Sequence, residues 1–136
     1  MFLTTKGRYA VMIMVELASA EDGRPMTSKQ ISNLLGLNSL YVDQILSKLR
    51  VKNIVKSVRG PGGGYTVLGD CGDINVLDIM NAADEKLKMT KCDGKDGSKC
   101  VGIPSSKCNT HHFWSEFERE IEGFLSTKTL RYICRK

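Results

Sequence analysis

The sequence predicts a mainly α-helical fold with one small β-hairpin, and three observations carry that expectation. Apolar residues recur at helical spacing in several separate stretches of the 136-residue chain. Two of those stretches are short and are joined by a turn containing Gly36, which is the pattern of a helix-turn-helix. Directly after them, two short β-type runs flank the glycine-rich tip Arg59-Gly60-Pro61-Gly62-Gly63-Gly64. Together these make a winged helix-turn-helix, followed by a long C-terminal helix.

Taken in order, Thr4 or Thr5 caps a first helix reaching about Ser19, and its apolar residues Tyr9 to Val15, Leu17 and Ala18 go nearly all the way round. Such a helix needs burial on several sides, either in its own core or also against a second subunit. Thr27 and Gln30 have capping-box spacing for a short helix with Ile31, Leu34 and Leu35 on one face, ended by Gly36. Asn38 caps the next helix, which runs to Arg50 with Leu40 or Tyr41, Val42, Ile45, Leu46 and Leu49 as its buried stripe. The runs Ile54–Val58 and Tyr65–Leu68 are the strands. Asp73–Asp84 is again helical by pattern, with Ile74, Val76, Leu77, Ile79 and Met80 as its apolar set. Periodicity then disappears from Glu85 to Lys107, longer than an ordinary connection within a domain. A final helix starts at Asn109 or Thr110. Its residues Trp114, Phe117, Ile121 and Phe124 or Leu125 are spaced alternately three and four apart, a seam suited to pairing with the same helix of another subunit. The expected division is a DNA-binding domain over 1–80, then 81–136 as a ligand loop at about 85–108 and a dimerisation helix.

Charge points to a polyanionic partner through its position more than its total. The net charge is +5 and the pI near 9.0. Between Asn38 and Arg59, five basic residues (Lys48, Arg50, Lys52, Lys56 and Arg59) face only Asp43. The seven apolar residues from Tyr9 to Val15 are too few to span a bilayer and Glu16 interrupts them, so the expectation is a soluble, cytoplasmic protein without a membrane partner.

The faces of the second short helix that the core does not claim carry Ser39, Asp43, Gln44, Ser47, Lys48 and Arg50. Gln reads an adenine edge, Lys and Arg serve phosphates or guanine, and an acid accepts from a cytosine amine. In the wing, Arg59 enters at the base of a tip without bulky side chains, Gly60, Pro61, Gly62 and Gly63, so that backbone can approach a narrow minor groove. A phosphate-cradling nucleotide loop is the competing reading. It is disfavoured because no Lys-Ser/Thr and no helix pattern follow the glycines.

Five cysteines are an odd number for an extracellular disulfide framework, and three of them share the aperiodic stretch. Cys92, Cys100 and Cys108 are separated by seven residues each, and His111 follows Cys108 by three positions at a helix start. Soft thiolates with an imidazole hold iron–sulfur clusters or zinc, and a helix N-terminus favours their negative charge. Both groups remain open on spacing alone. Cys71 and Cys134 stand apart from this set as packing or exposed thiols. A cysteine-nucleophile enzyme using His111 or His112 as base would need a third orienting group, and no such motif is visible.

Three segments carry a resemblance. Leu3-Thr4-Thr5-Lys6-Gly7-Arg8-Tyr9-Ala10, Tyr41 to Arg50, and Ser57-Val58-Arg59-Gly60-Pro61-Gly62-Gly63-Gly64-Tyr65 are similar to the bacterial IscR-type iron–sulfur regulators, as is Cys108-Asn109-Thr110-His111. The similarity is collinear over almost the whole chain. It implies a homodimer that binds a double-stranded DNA operator through Ser39, Tyr41, Asp43, Gln44, Ser47, Lys48, Arg50 and the wing, acting as a repressor or activator. It implies a 2Fe–2S cluster held by Cys92, Cys100, Cys108 and His111, and control of genes for iron–sulfur cluster biogenesis. Relatives that sense nitric oxide or iron use a similar triplet, and in the nitric-oxide branch an acid near the N-terminus helps hold a 4Fe–4S cluster. Arg8 stands in that region here. The cysteine intervals are longer than usual in these proteins, and Leu40 stands where a small polar residue is usual.

Overall fold

The computed structural model describes residues 5–88 and 103–135. Helix α1 (Thr5–Ser19) is its centre. Ala10, Ile13, Met14 and Leu17 are buried along it, and Tyr9, Val11, Val15 and Ala18 are half-buried against the same core. The nearly all-round apolar pattern is used by α1's own chain, because helices from both ends of the sequence and the hairpin pack around it.

Helix α2 (Ser28–Leu35) opens with the expected capping box: Thr27 Oγ1 accepts from the Gln30 amide at 3.1 Å and Gln30 Oε1 accepts from the Thr27 amide at 2.8 Å. Gly36 ends it at φ 67°, a left-handed conformation that lets the Leu37 amide reach the Ser32 carbonyl. Helix α3 (Ser39–Val51) begins where Asn38 Oδ1 accepts from the Leu40 amide at 2.9 Å, and buries Val42, Ile45, Leu46 and Leu49. Of the two residues considered for the start of that stripe, Tyr41 is the inward one and Leu40 is 70% exposed.

Strands β1 (Val55–Val58) and β2 (Gly64–Val67) pair antiparallel, from Val55 opposite Val67 to Val58 opposite Gly64. The hairpin is held at its outer edge too, where Met26 and Tyr65 exchange backbone hydrogen bonds of 3.0 and 2.7 Å. Helix α4 (Val76–Ala82), capped by Asn75 Oδ1 on the Asp78 amide at 2.8 Å, lies against α1. Past its end, Glu85 is only 5% exposed, and its Oε2 accepts from the Gly7 amide at 3.1 Å.

Within the stretch expected to be a loop, Ser105–Lys107 forms one 3₁₀ turn. Helix α5 (His111–Thr127) follows, and none of its residues is fully buried. Ile121 and Leu125 are half-buried, whereas Trp114, Phe117 and Phe124 are 39%, 37% and 60% exposed. A short α6 (Leu130–Ile133), not anticipated from the sequence, is capped by Thr129 Oγ1 on the Tyr132 amide. Its first residue, Leu130, is fully buried in the core built by α1.

Candidate nucleic-acid interface and cluster segment

Burial of Val42, Ile45, Leu46 and Leu49 fixes the rotation of α3 and thereby what it leaves outside. Ser39, Asp43, Gln44, Ser47 and Arg50 are all exposed. Two other residues expected to face DNA have partners within the chain. The Tyr41 hydroxyl is 3.2 Å from Thr5 Oγ1, and its ring stands edge-on to Tyr9 at 5.8 Å. Lys48 Nζ is 2.8 Å from Asp84 Oδ2. The Lys48 hydrogen bond and charge, with the charges of Lys6 and Lys52, hold the Asp84 carboxyl below its ordinary value.

The wing leaves α3 through a single tight turn, in which Asn53 adopts φ 59° and the Ile54 amide returns to the Leu49 carbonyl at 3.0 Å. This short connection sets β1 directly at the end of α3. Arg59, Gly60, Pro61 and Gly62 are exposed and Gly63 is half-buried. The tip closes with Gly63 donating to Gly60 at 2.9 Å, and Gly60 and Gly62 take φ values of 93° and 73° that favour glycine. A cleft of about 600 Å³ separates the tip from the start of α2, lined by Arg24, Thr27 and Gln30 on one side and the wing glycines on the other. Exposed Arg24, read from sequence only as part of a turn, thus adds a basic group beside the wing. Only the hairpin's contact with Met26 reveals it, because that pairing brings the turn alongside β2.

Of the four expected cluster ligands, Cys92 and Cys100 lie outside the described residues. Cys108 and His111 are half-buried at the entrance of α5, where the His111 amide donates to the Cys108 carbonyl at 3.2 Å. Cys108 Sγ is 3.4 Å from Thr110 Oγ1, and His111 Nε2 is 3.4 Å from Ser115 Oγ. Thr110 makes no side-chain cap, and the positive end of the α5 dipole lies beside Cys108, whose carbonyl takes the His111 amide. A thiol and an imidazole in one turn at a helix start suit iron–sulfur or zinc chemistry. Among the described residues, no group of three or more Cys, His, Asp or Glu could hold a metal ion. His112 is exposed, and its ring lies edge-on to that of His111 at 6.0 Å.

No helix among the described residues is long and apolar enough to cross a membrane. A family profile described as Rrf2, iron-dependent transcriptional regulator, matches residues 3–136. The chain is 42% identical over 130 residues to the HTH-type transcriptional regulator IscR of Klebsiella pneumoniae, covering 96% of this chain and 77% of that protein. Among solved structures, IscR of T. potens superposes with a TM-score of 0.74 at 30% identity, over 98% of this chain and 85% of the other. The global cysteine regulator CymR of B. subtilis superposes with a TM-score of 0.74 at 27% identity, over 98% and 96%. The exposed recognition helix, the wing beside it and these likenesses agree: the chain is an IscR-like transcriptional regulator and belongs to the Rrf2 family.

Proposed function

We propose that this chain is a homodimeric regulator whose operator binding is controlled by an iron–sulfur cluster, of the 2Fe–2S type, held by Cys92, Cys100, Cys108 and His111, and that its targets are genes of cluster biogenesis. The observation that carries the reading is the Cys108–His111 turn at the entrance of α5, in a chain 42% identical to an IscR. The bound group would supply a redox state and an occupancy that change with iron and oxidants. The protein's own part is to set the ligands' geometry and to transmit their position. His111 is oriented by Ser115 and by its place in the first turn of α5. Helix α5 carries the seam of Trp114, Phe117, Ile121, Phe124 and Leu125, which would meet its counterpart in a second subunit, so a shift at the helix entrance alters the placement of two α3 helices on DNA.

On the DNA side, Ser39, Asp43, Gln44, Ser47 and Arg50 read or flank base edges in the major groove. Arg59 with Gly60, Pro61, Gly62 and Gly63 follows the adjacent minor groove, and Tyr41 and Lys48 set the helix's position. Anaerobic purification followed by absorption spectroscopy and iron, sulfide and zinc analysis tests the input. A coloured protein with iron and sulfide that is lost in Cys92→Ala, and lost or spectrally shifted in His111→Ala, supports the reading. A colourless protein with stoichiometric zinc replaces it with a structural metal site. Operator selection with genomic fragments tests the output, and absence of any DNA binding at low salt would sink it.

A further inference from the structure

Two cysteines outside the cluster segment lie on neighbouring backbone segments where the stretch after the wing runs beside α6. The stretch after β2 runs antiparallel to the one that enters α6. The Val76 amide donates to the Lys128 carbonyl and the Leu130 amide to the Ile74 carbonyl, both at 2.8 Å, and the Arg131 amide donates to the Cys71 carbonyl at 3.1 Å. The Asp70 carboxylate pairs with the Arg131 guanidinium across the same line. Cys71 is therefore held beside α6.

At the C-terminal cap of α6 the Cys134 amide donates to the Leu130 carbonyl at 3.0 Å, which places Cys134 one helical turn beyond fully buried Leu130 and on its side of the helix. Both cysteines are half-buried, and both pack against the same hydrophobic core. Burial pushes the Cys71 thiol up, and the nearby Cys134 adds to that effect through its charge.

Cys71 also lines a cleft of about 420 Å³ between α1 and the hairpin, bounded by Leu17, Ala18, Val58 and Val67. The cleft wall includes Thr66, whose Oγ1 is buried and has no hydrogen-bond partner among the described residues. A small polar molecule entering the cleft would lie beside half-buried Cys71.

We propose that Cys71 and Cys134 form an oxidisable pair, converted to a disulfide by a small two-electron oxidant of the hydroperoxide class. One thiolate attacks a peroxide oxygen, breaking the O–O bond and leaving a sulfenic acid, while the departing hydroxide or alkoxide takes up the proton that thiol released and leaves as water or alcohol. The second thiolate displaces the sulfenic hydroxyl, forming the S–S bond, and the expelled hydroxide takes up the proton lost by the second thiol to leave as water. Two electrons pass from the sulfurs to the peroxide oxygens, and thiols of a reducing compartment reverse the step. The link fastens the exit of the wing to α6 and uses none of the four proposed cluster ligands.

The test uses the full chain, prepared anaerobically, exposed to hydrogen peroxide, quenched with iodoacetamide and digested with trypsin without reduction. The expected product is the peptide 132–135 joined to the peptide 60–86, about 2 Da lighter than the two free thiol peptides together. It disappears with dithiothreitol, and neither Cys71→Ser nor Cys134→Ser yields it. Counting alkylated thiols in the unmutated chain keeps the result independent of how the variants fold. Three results overturn the proposal: Cys134 linked to Cys92, Cys100 or Cys108; both residues still alkylated after oxidation; or Cys71 driven to the sulfinic acid without any link.

Discussion

The carboxylate of Glu85 accepts a hydrogen bond from the amide of Gly7 at 3.1 Å, tying the end of α4 to the first turn of α1 across 78 positions. A methyl group on Gly7 would lie 2.8 Å from Glu85 Cγ. Alanine gains about 1 kcal/mol over glycine within a helix, yet overpacking a tight site costs about 1–3 kcal/mol. Gly7→Ala should therefore destabilise the fold in urea titration. Glu85→Ala should also destabilise it, by about 1–3 kcal/mol, because a buried amide loses its acceptor. The double variant should lose less than the two singles together, since shortening Glu85 makes room for the methyl.

The Lys48–Asp84 pair gives a pH signature. Asp84 is held below its ordinary value of 3.8, chiefly by the hydrogen bond from Lys48. A depressed carboxyl pKa stabilises the fold above the unfolded value, and the contribution disappears as pH falls through the folded one. Asp84→Asn should be slightly less stable than the unmutated chain at neutral pH and equal to it in acid. A gap that persists in acid would assign the effect to something other than this ion pair.

Arg59 is exposed at the base of the wing, so Arg59→Ala should leave the thermal midpoint unchanged. Operator affinity at fixed salt should fall by about 1–3 kcal/mol. Unchanged affinity in a fluorescence anisotropy titration would remove the wing from the interface.

Helix α5 contributes no fully buried residue within the chain, and Phe117 on its seam is 37% exposed. Phe117→Glu should therefore convert a dimer to a folded monomer, measured by sedimentation, with helical content retained in circular dichroism. A dimer that survives this change would place the subunit interface elsewhere.

What the sequence made legible was local. The Thr27–Gln30 box, the Asn38 cap and the Gly36 stop each depend on groups only a few residues apart, so residue type and spacing suffice to read them. The hairpin was legible because Gly60 and Gly62 occupy backbone conformations that glycine tolerates best. Burial of Glu85 was not, because its partner is an amide 78 positions away. The choice of Tyr41 over Leu40 as the inward residue depends on Tyr9 and Thr5 across the helix interface. Helix α6 spans Leu130–Ile133, too short for any period to show, although Thr129 before an apolar residue was a usable cap signal. At the candidate site, the adjacency of Cys108 and His111 follows from their spacing. The pairing of Lys48 with Asp84 does not.

Leu130 has no exposed surface, and it fills the same core as Ile13, Met14 and Ile79. Leu130→Ala should cost about 2–5 kcal/mol, read as a lowered urea midpoint. The same residue joins the two ends of the molecule energetically: α6 closes the core around α1 through a contact that spans nearly the whole sequence, the slow kind of closure. A nascent chain stopped after α4 would hold the recognition helix and wing yet lack this side chain of the core, so its hairpin and α3 would rest on a weaker base.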